Sequence, residues 1–182
     1  MALNFNYMLN AQQILDEGLL KLEHTHGKVA QVGYDLTLKQ INKVGTRYVD
    51  GITQKIGKVL KDTTQLTTYT PHELINLDGI TGWMLYPGTY DITFNEGCKL
   101  PDNRVAFIKQ RSSLYRNGAV INSPVFDPNF ETEFMGTIMY VHETIFIEEN
   151  ARVAQIYFHE CTPVPEDQLY RGQWQGDKQR TA

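Results

Sequence analysis

Between Val32 and Ile41 the chain reads VGYDLTLKQI, an alternation that sets Tyr34, Leu36 and Leu38 on one face and Asp35 and Thr37 on the other. A period of two is that of a strand lying half-buried on a sheet. Short segments rich in β-branched and aromatic residues follow: GWMLYPGTYDITF (82–94), RVAFIKQRSS (104–113), AVINSPVF (119–126), EFMGTIMYV (133–141), TIFIEE (144–149) and ARVAQIYFHE (151–160). Pro, Gly and Asn separate them, and Pro87-Gly88 and Leu100-Pro101-Asp102-Asn103 are turn signals. Only one stretch has helical spacing. NAQQILDEGLLKL (10–22) places Ile14, Leu15, Leu19 and Leu22 behind an Asn10 cap, with Gly18 as its weak point. The pattern predicts a short N-terminal helix followed by an antiparallel sandwich or barrel. From Val44 to Thr70 the chain is polar and less patterned, which predicts a strand or two within long loops. The stretch from 163 to 182 has few aliphatic residues, although Tyr170 and Trp174 remain, and is expected to be mobile when nothing is bound.

Composition narrows the function classes. With 182 residues, 41% hydrophobic and 21% charged, the chain suits one soluble domain with a full core. A formal charge of −4 argues against a surface that coats nucleic acid, while leaving room for a local basic pocket. The N-terminal residues lack a signal-peptide pattern, and no apolar run approaches the ~20 residues that span a bilayer, so a cytoplasmic location is expected. Cys98 and Cys161 offer no disulfide framework and read as small hydrophobes. His24-Thr25-His26 is the one obvious histidine pair. His72, His142 and His159 are scattered, and neither cysteine has metal-ligand spacing, so no zinc site is expected. The H-x-E and P-C-x-x-C pattern of zinc deaminases, phosphate-binding glycine loops and the G-x-S-x-G elbow are also absent.

RSSLYRNG (111–118) gathers two arginines and two serines ahead of a glycine turn. Either it is a charged turn, or it meets a ligand with several anionic oxygens, for which guanidinium forks and hydroxyls are suitable donors. The surrounding motifs bear on that choice. GYDLTL (33–38), LYPGTYDI (85–92), Leu100-Pro101, RSSLYRNG, VFDPNF (125–130), ARVAQIYF (151–158) and YRGQWQG (170–176) follow one another in a family order. With them the chain resembles the dCTP deaminase and trimeric dUTPase superfamily, most closely its dCTP-deaminase-like branch, over nearly its whole length.

That resemblance implies a distorted jelly-roll β-barrel, a homotrimer with shared active sites, and a deoxynucleoside triphosphate substrate. It places Arg111, Ser112, Ser113 and Arg116 toward the triphosphate. Asp127 corresponds to the aspartate that orients the attacking water and meets the sugar 3′-hydroxyl, with Gln155 and Ser112 supporting the chemistry. Asn122 and Ser123 fall where base and sugar are read. Tyr170 and Gln173 belong to a tail, 163–182, that closes over the ligand, where Arg171, Lys178 and Arg180 add charge. Trp174 either covers the base or docks the tail on a neighbour. Mg²⁺ is expected on the substrate phosphates rather than in a protein cage. Asp35 is either structural or a ligand contact.

The superfamily carries out two reactions, and the zinc-free deaminases need a glutamate on the strand after the aspartate motif. A gapless match puts Thr137 there, beside Gly136, and neither shuttles protons as a carboxylate does. Hydrolysis of dUTP to dUMP and pyrophosphate is therefore expected. The alternatives are a deaminase or bifunctional enzyme using Glu133 or Glu143, and a nucleotide-binding regulator. Thr132 in place of the usual glycine, a stretch between Arg111 and Asp127 about two residues short, and Leu169 in place of a lysine depart from the family pattern.

Overall fold

The computed structural model describes residues 7–46, 67–172 and 174–177. Helix α1 spans Ala11–Asp16 and starts where the sequence predicts. Asn10 Oδ1 accepts from the Gln13 amide at 3.0 Å, and Gln13 Oε1 accepts from the Asn10 amide at 2.9 Å, a reciprocal cap. The helix ends sooner than the expected 10–22. Gly18 adopts φ 63 and turns the chain, so Leu20–Lys21 becomes a strand, β1. Ile14 and Leu19 are buried, whereas Leu15 faces outward.

Strands then dominate: β2 Lys28–Ala30, β3 Gly33–Thr46, β4 Thr67–Pro71, β5 Ile75–Leu77, β6 Ile80–Leu85, β7 Gly88–Phe94, β8 Gly97–Lys99 and β9 Arg104–Gln110. After the short helix α2, Ser112–Arg116, come β10 Ala119–Asn122, β11 Glu131–Thr132, β12 Gly136–Val141, β13 Ile145–Glu148 and β14 Arg152–Glu160. The main sheet runs β10-β12-β7-β3-β14-β9, with β2 and β4 also paired to β3. Smaller sheets, β1-β8-β11 and β13-β6-β5, flank it. All the pairings within these sheets are antiparallel. Beyond β10, Phe126 bridges Ala106 on β9, the opposite edge, so the sheet nearly closes on itself as a jelly-roll barrel.

Leu36, Leu38, Ile92, Phe94, Ala154, Ile156 and Phe158, all fully buried, fill the interior. The opposite face of β3 is not open to water as its alternation suggests, because Asp35 and Thr37 are buried too. Glu96 covers Thr37, accepting from its amide at 2.9 Å and its hydroxyl at 2.7 Å, and accepts from Thr25 Oγ1 at 2.6 Å. A buried carboxylate bonded in this way avoids most of the cost of burial.

Two local expectations change. Serines 112 and 113 continue into a helix rather than a strand, because Tyr115 donates to the Arg111 carbonyl at 3.1 Å. The strand expected over 133–141 starts at Gly136, after a bend that puts Thr132 in the separate β11. The polar stretch 44–70 opens as the end of the long β3 and closes in β4, and its centre, 47–66, lies outside the described residues.

Candidate active site

A cavity of about 370 Å³ opens beside the segment that follows β10. Pro124, Val125, Phe126 and Asp127 form one wall, and Gly136, Thr137 and Ile138 of β12 form another. Thr137 Oγ1 donates to the Asn122 carbonyl at 2.9 Å, which holds these walls together. Asp91 of β7 and Tyr69 of β4 also reach the cavity.

Phe130, Tyr170 and Trp174 form its rim. Phe130 meets Phe126 at 5.3 Å and Tyr170 at 5.6 Å, both edge to face. The described part of the C-terminal stretch is tied to this loop. The Tyr170 amide donates to the Pro128 carbonyl at 3.2 Å, and Asn129 Nδ2 donates to the Tyr170 carbonyl at 2.9 Å. Gln175 Nε2 donates to the Asn129 carbonyl at 2.8 Å, while Gln175 Oε1 accepts from the Glu131 amide at 3.3 Å. Asn129 adopts φ 72, which asparagine tolerates better than most side chains.

The base of this loop is charged. Lys21 Nζ lies 3.0 Å from Glu131 and 3.2 Å from Glu133. The bond to Lys21 holds the Glu131 carboxyl below the usual carboxylate range, against the opposing effect of burial. The bond to Glu131 in turn raises Lys21.

A second cavity, of about 420 Å³, is lined by Lys28, Asp35, Gln110, Arg111, Ser112 and Gln155, with the β2–β3 turn alongside. Gln155 and Asp35 are cross-strand partners, and the Arg111 amide donates to the Val153 carbonyl at 2.9 Å. Arg111 Nη1 lies 3.2 Å from Asp35 Oδ2. Gln110 Oε1 is buried without a hydrogen-bond partner, an acceptor open to a donor brought by a ligand.

Of the residues singled out in the sequence, Arg111, Ser112 and Gln155 therefore meet in one cavity, and Asp127 and Tyr170 in the other. Ser113 and Arg116 are exposed on α2 and line neither. Asn122 contributes its carbonyl to Thr137, while Ser123 Oγ donates to the Pro124 carbonyl at 2.7 Å. Gln173, Lys178 and Arg180 lie outside the described residues. Lys28, Gln110, Tyr69 and Asp91 are cavity residues that sequence reasoning missed, since isolated polar residues on strands carry no spacing signal. No group of three or more metal-ligating side chains occurs among the described residues.

The two cavities lie toward opposite ends of β9. Phe126 bridges Ala106, and Arg111 is five residues further along, roughly 16 Å at strand rise.

The barrel is of the dCTP deaminase type. It resembles the crystal structure of 2′-deoxycytidine 5′-triphosphate deaminase from Agrobacterium tumefaciens, with a TM-score of 0.57 and 16% identity over 85% of this chain. This chain spans about half, 48%, of that deaminase chain. The dCTP deaminase-like family model matches residues 9–161, and the chain belongs to that family. It is 32% identical over 152 residues to the deoxyuridine 5′-triphosphate nucleotidohydrolase of Methanocaldococcus jannaschii, covering 82% of this chain and 88% of that protein. It is also 26% identical to a probable deoxyuridine 5′-triphosphate nucleotidohydrolase of Aeropyrum pernix, over 93% of this chain and 98% of that one.

Proposed function

We propose that this chain is a cytoplasmic dUTP diphosphatase, one domain with a closing tail, that works as a homotrimer and yields dUMP and pyrophosphate. The observation that carries the choice of reaction is the pairing of walls in the first cavity. Asp127 stands on one wall, while β12 opposite reads Gly136, Thr137, Ile138, Met139, Tyr140, Val141. No position of that strand holds a carboxylate, so sliding the match along it does not restore a deaminase acid-base.

In this reading the apolar cavity receives base and sugar, with Tyr170 and Trp174 over them. Asp127 presents its carboxylate to this cavity and accepts a hydrogen bond from the attacking water. The water oxygen bonds to the α-phosphorus as its proton passes to the Asp127 carboxylate, the bond to the oxygen bridging toward the β-phosphate breaks, and pyrophosphate leaves. Arg111 and Ser112 hold the departing phosphates, with Gln155 beside them and Lys28 as a further cation. Charge stabilisation of this kind is commonly the largest catalytic term.

Mg²⁺ carried on the triphosphate would neutralise part of its charge. Gln110 Oε1, without a partner in the cavity that holds Arg111 and Ser112, is the oxygen there suited to accept from the water shell of that ion. Trimer formation answers the separation along β9, because a second copy brings its Arg111 cavity to the Asp127 of the first.

A deaminase would have to draw on Asp91, the other carboxylate of the first cavity. Glu133 is engaged by Lys21, and Glu143 lies beside Gly118, so neither lines that cavity. Assaying dUTP and dCTP for both pyrophosphate and ammonia separates the readings. The expected result is pyrophosphate from dUTP, no ammonia from dCTP, and a loss of about 10²–10⁴-fold in kcat for Asp127→Asn. Ammonia release from dCTP, or full activity in Asp127→Asn, overturns the proposal, and tight dUTP binding without turnover identifies a regulator instead.

A further inference from the structure

Arg152 lines neither cavity, yet it shares a carboxylate with a residue that does. Asp35 Oδ2 lies 3.2 Å from Arg152 Nη1 and 3.2 Å from Arg111 Nη1. The contacts differ in kind. Arg152 makes a hydrogen bond, whereas Arg111 makes an ion pair without hydrogen-bond alignment. Only 8% of the Asp35 side chain is exposed, against 32% and 34% for the side chains of Arg111 and Arg152.

A β-bulge explains how Arg152 reaches this place. Regular pairing from Gln155↔Asp35 and Ala154↔Leu36 would continue to Arg152↔Leu38, on the core face. Instead the register shifts between Arg152 and Ala154, and Arg152 pairs with Thr37. Thr37 shares its face with Asp35, two residues away, so the bulge turns Arg152 out of the core and toward that carboxylate. The bulged residue, Val153, also offers the carbonyl that accepts from the Arg111 amide at 2.9 Å. The bulge places Arg152, and the regular β9–β14 ladder places Arg111 beside it.

A nearly buried carboxylate needs a cation, and losing its last one is costly. Asp35 has two, one more than its charge requires. When Arg111 turns to a ligand phosphate, Arg152 stays and Asp35 remains paired. With Arg152 neutral, each phosphate taken by Arg111 would strand Asp35, and the carboxylate would compete with the ligand. We propose that Arg152 is a positioning residue that keeps Asp35 compensated and so frees Arg111 to bind substrate phosphates. The inference rests on the nucleotide hydrolase reading given above.

The test uses the full chain with two readouts, kcat and KM for dUTP, and calorimetric binding of inorganic tripolyphosphate. Arg152→Met is expected to raise KM and weaken tripolyphosphate binding by about tenfold, the effect of one charge-assisted hydrogen bond, with kcat within about twofold of the parent. Adding Asp35→Asn, which removes the competing charge, is expected to return tripolyphosphate affinity to within about threefold of the parent, because the ion pair on Arg111 is gone. Arg152→Lys keeps the charge and covers the case in which Arg152→Met does not fold. Its KM should stay close to parental, and a fall in kcat at unchanged KM overturns the assignment. Unchanged tripolyphosphate binding in Arg152→Met, or no recovery in a folded double variant, also overturns it while leaving the hydrolase reading intact. If the parent neither hydrolyses dUTP nor binds tripolyphosphate, the hydrolase reading falls and takes this inference with it.

Discussion

Glu131 ties the loop that carries Asp127 to strands β1 and β8 through Lys21 at 3.0 Å and Lys99 at 3.8 Å. Its carboxyl is held low by Lys21, so in the folded state it releases its proton more readily than in the unfolded chain. The resulting stability is complete above the ordinary glutamate value of about 4.3 and is lost as pH falls through the lowered folded-state value. Glu131→Gln is therefore expected to melt below the parent at pH 7, with the gap closing in acid. The side chain is 38% exposed, so solvent screening keeps the effect small. Melting curves of both proteins at neutral and acid pH check this, and a gap that widens in acid contradicts the assignment. Residues of this kind show how uneven legibility is at the smallest scale. Asp127, Arg111 and Gln155, which line the cavities, stand out in the sequence because they sit in ordered motifs. Lys28 and Gln110 reach their cavity only through the pairing of β2 with β3 and of β9 with β14, contacts that no local spacing encodes.

Strands were legible where one face is apolar and the other meets water, and illegible where both are covered. β3 is buried on both faces from Gly33 to Leu38, so its alternation gave the right partition and the wrong solvent side. Bulges are harder still. Counting in twos from Gln155 puts Arg152 beside Ala154's neighbours in the core, and only the observed shift at Val153 removes that contradiction. Close packing of β3 and β14 also explains why GYDLTL opens on glycine. Gly33 has φ 154, and a Cβ there would strike the Ile156 carbonyl oxygen and press on Gln155 Cγ at 3.3 Å. Gly33→Ala is expected to cost about 1–3 kcal/mol of stability, the range for enforced backbone strain. It should also lower activity by displacing Gln155 and Asp35. Chemical denaturation and dUTP turnover measured together check both, and parental stability would show that the strands yield without cost.

A single copy of this barrel places Asp127 and Arg111 toward opposite ends of β9, roughly 16 Å or more apart along the backbone at strand rise, and in separate cavities. Local spacing does not show that separation, because the motifs follow one another along the chain; only the resemblance implies a site shared between copies. Closure of the sheet through Phe126 and Ala106 is what sends them apart. If each working site takes Asp127 from one copy and Arg111 from the next, two inactive variants can repair each other. Asp127→Asn and Arg111→Ala, each assayed alone, are expected to show only residual dUTP hydrolysis. Co-refolded in equal amounts, half the copies carry an intact Arg111 and half an intact Asp127. Random assembly then gives about a quarter of the sites one good residue from each neighbour, and about a quarter of parental activity. Were both residues to act within one copy, every site in the mixture would keep one defect and the activity would stay at the level of the separate variants. The mixture decides between a shared and a self-contained site without a bound ligand, and the single-variant assays supply its baseline.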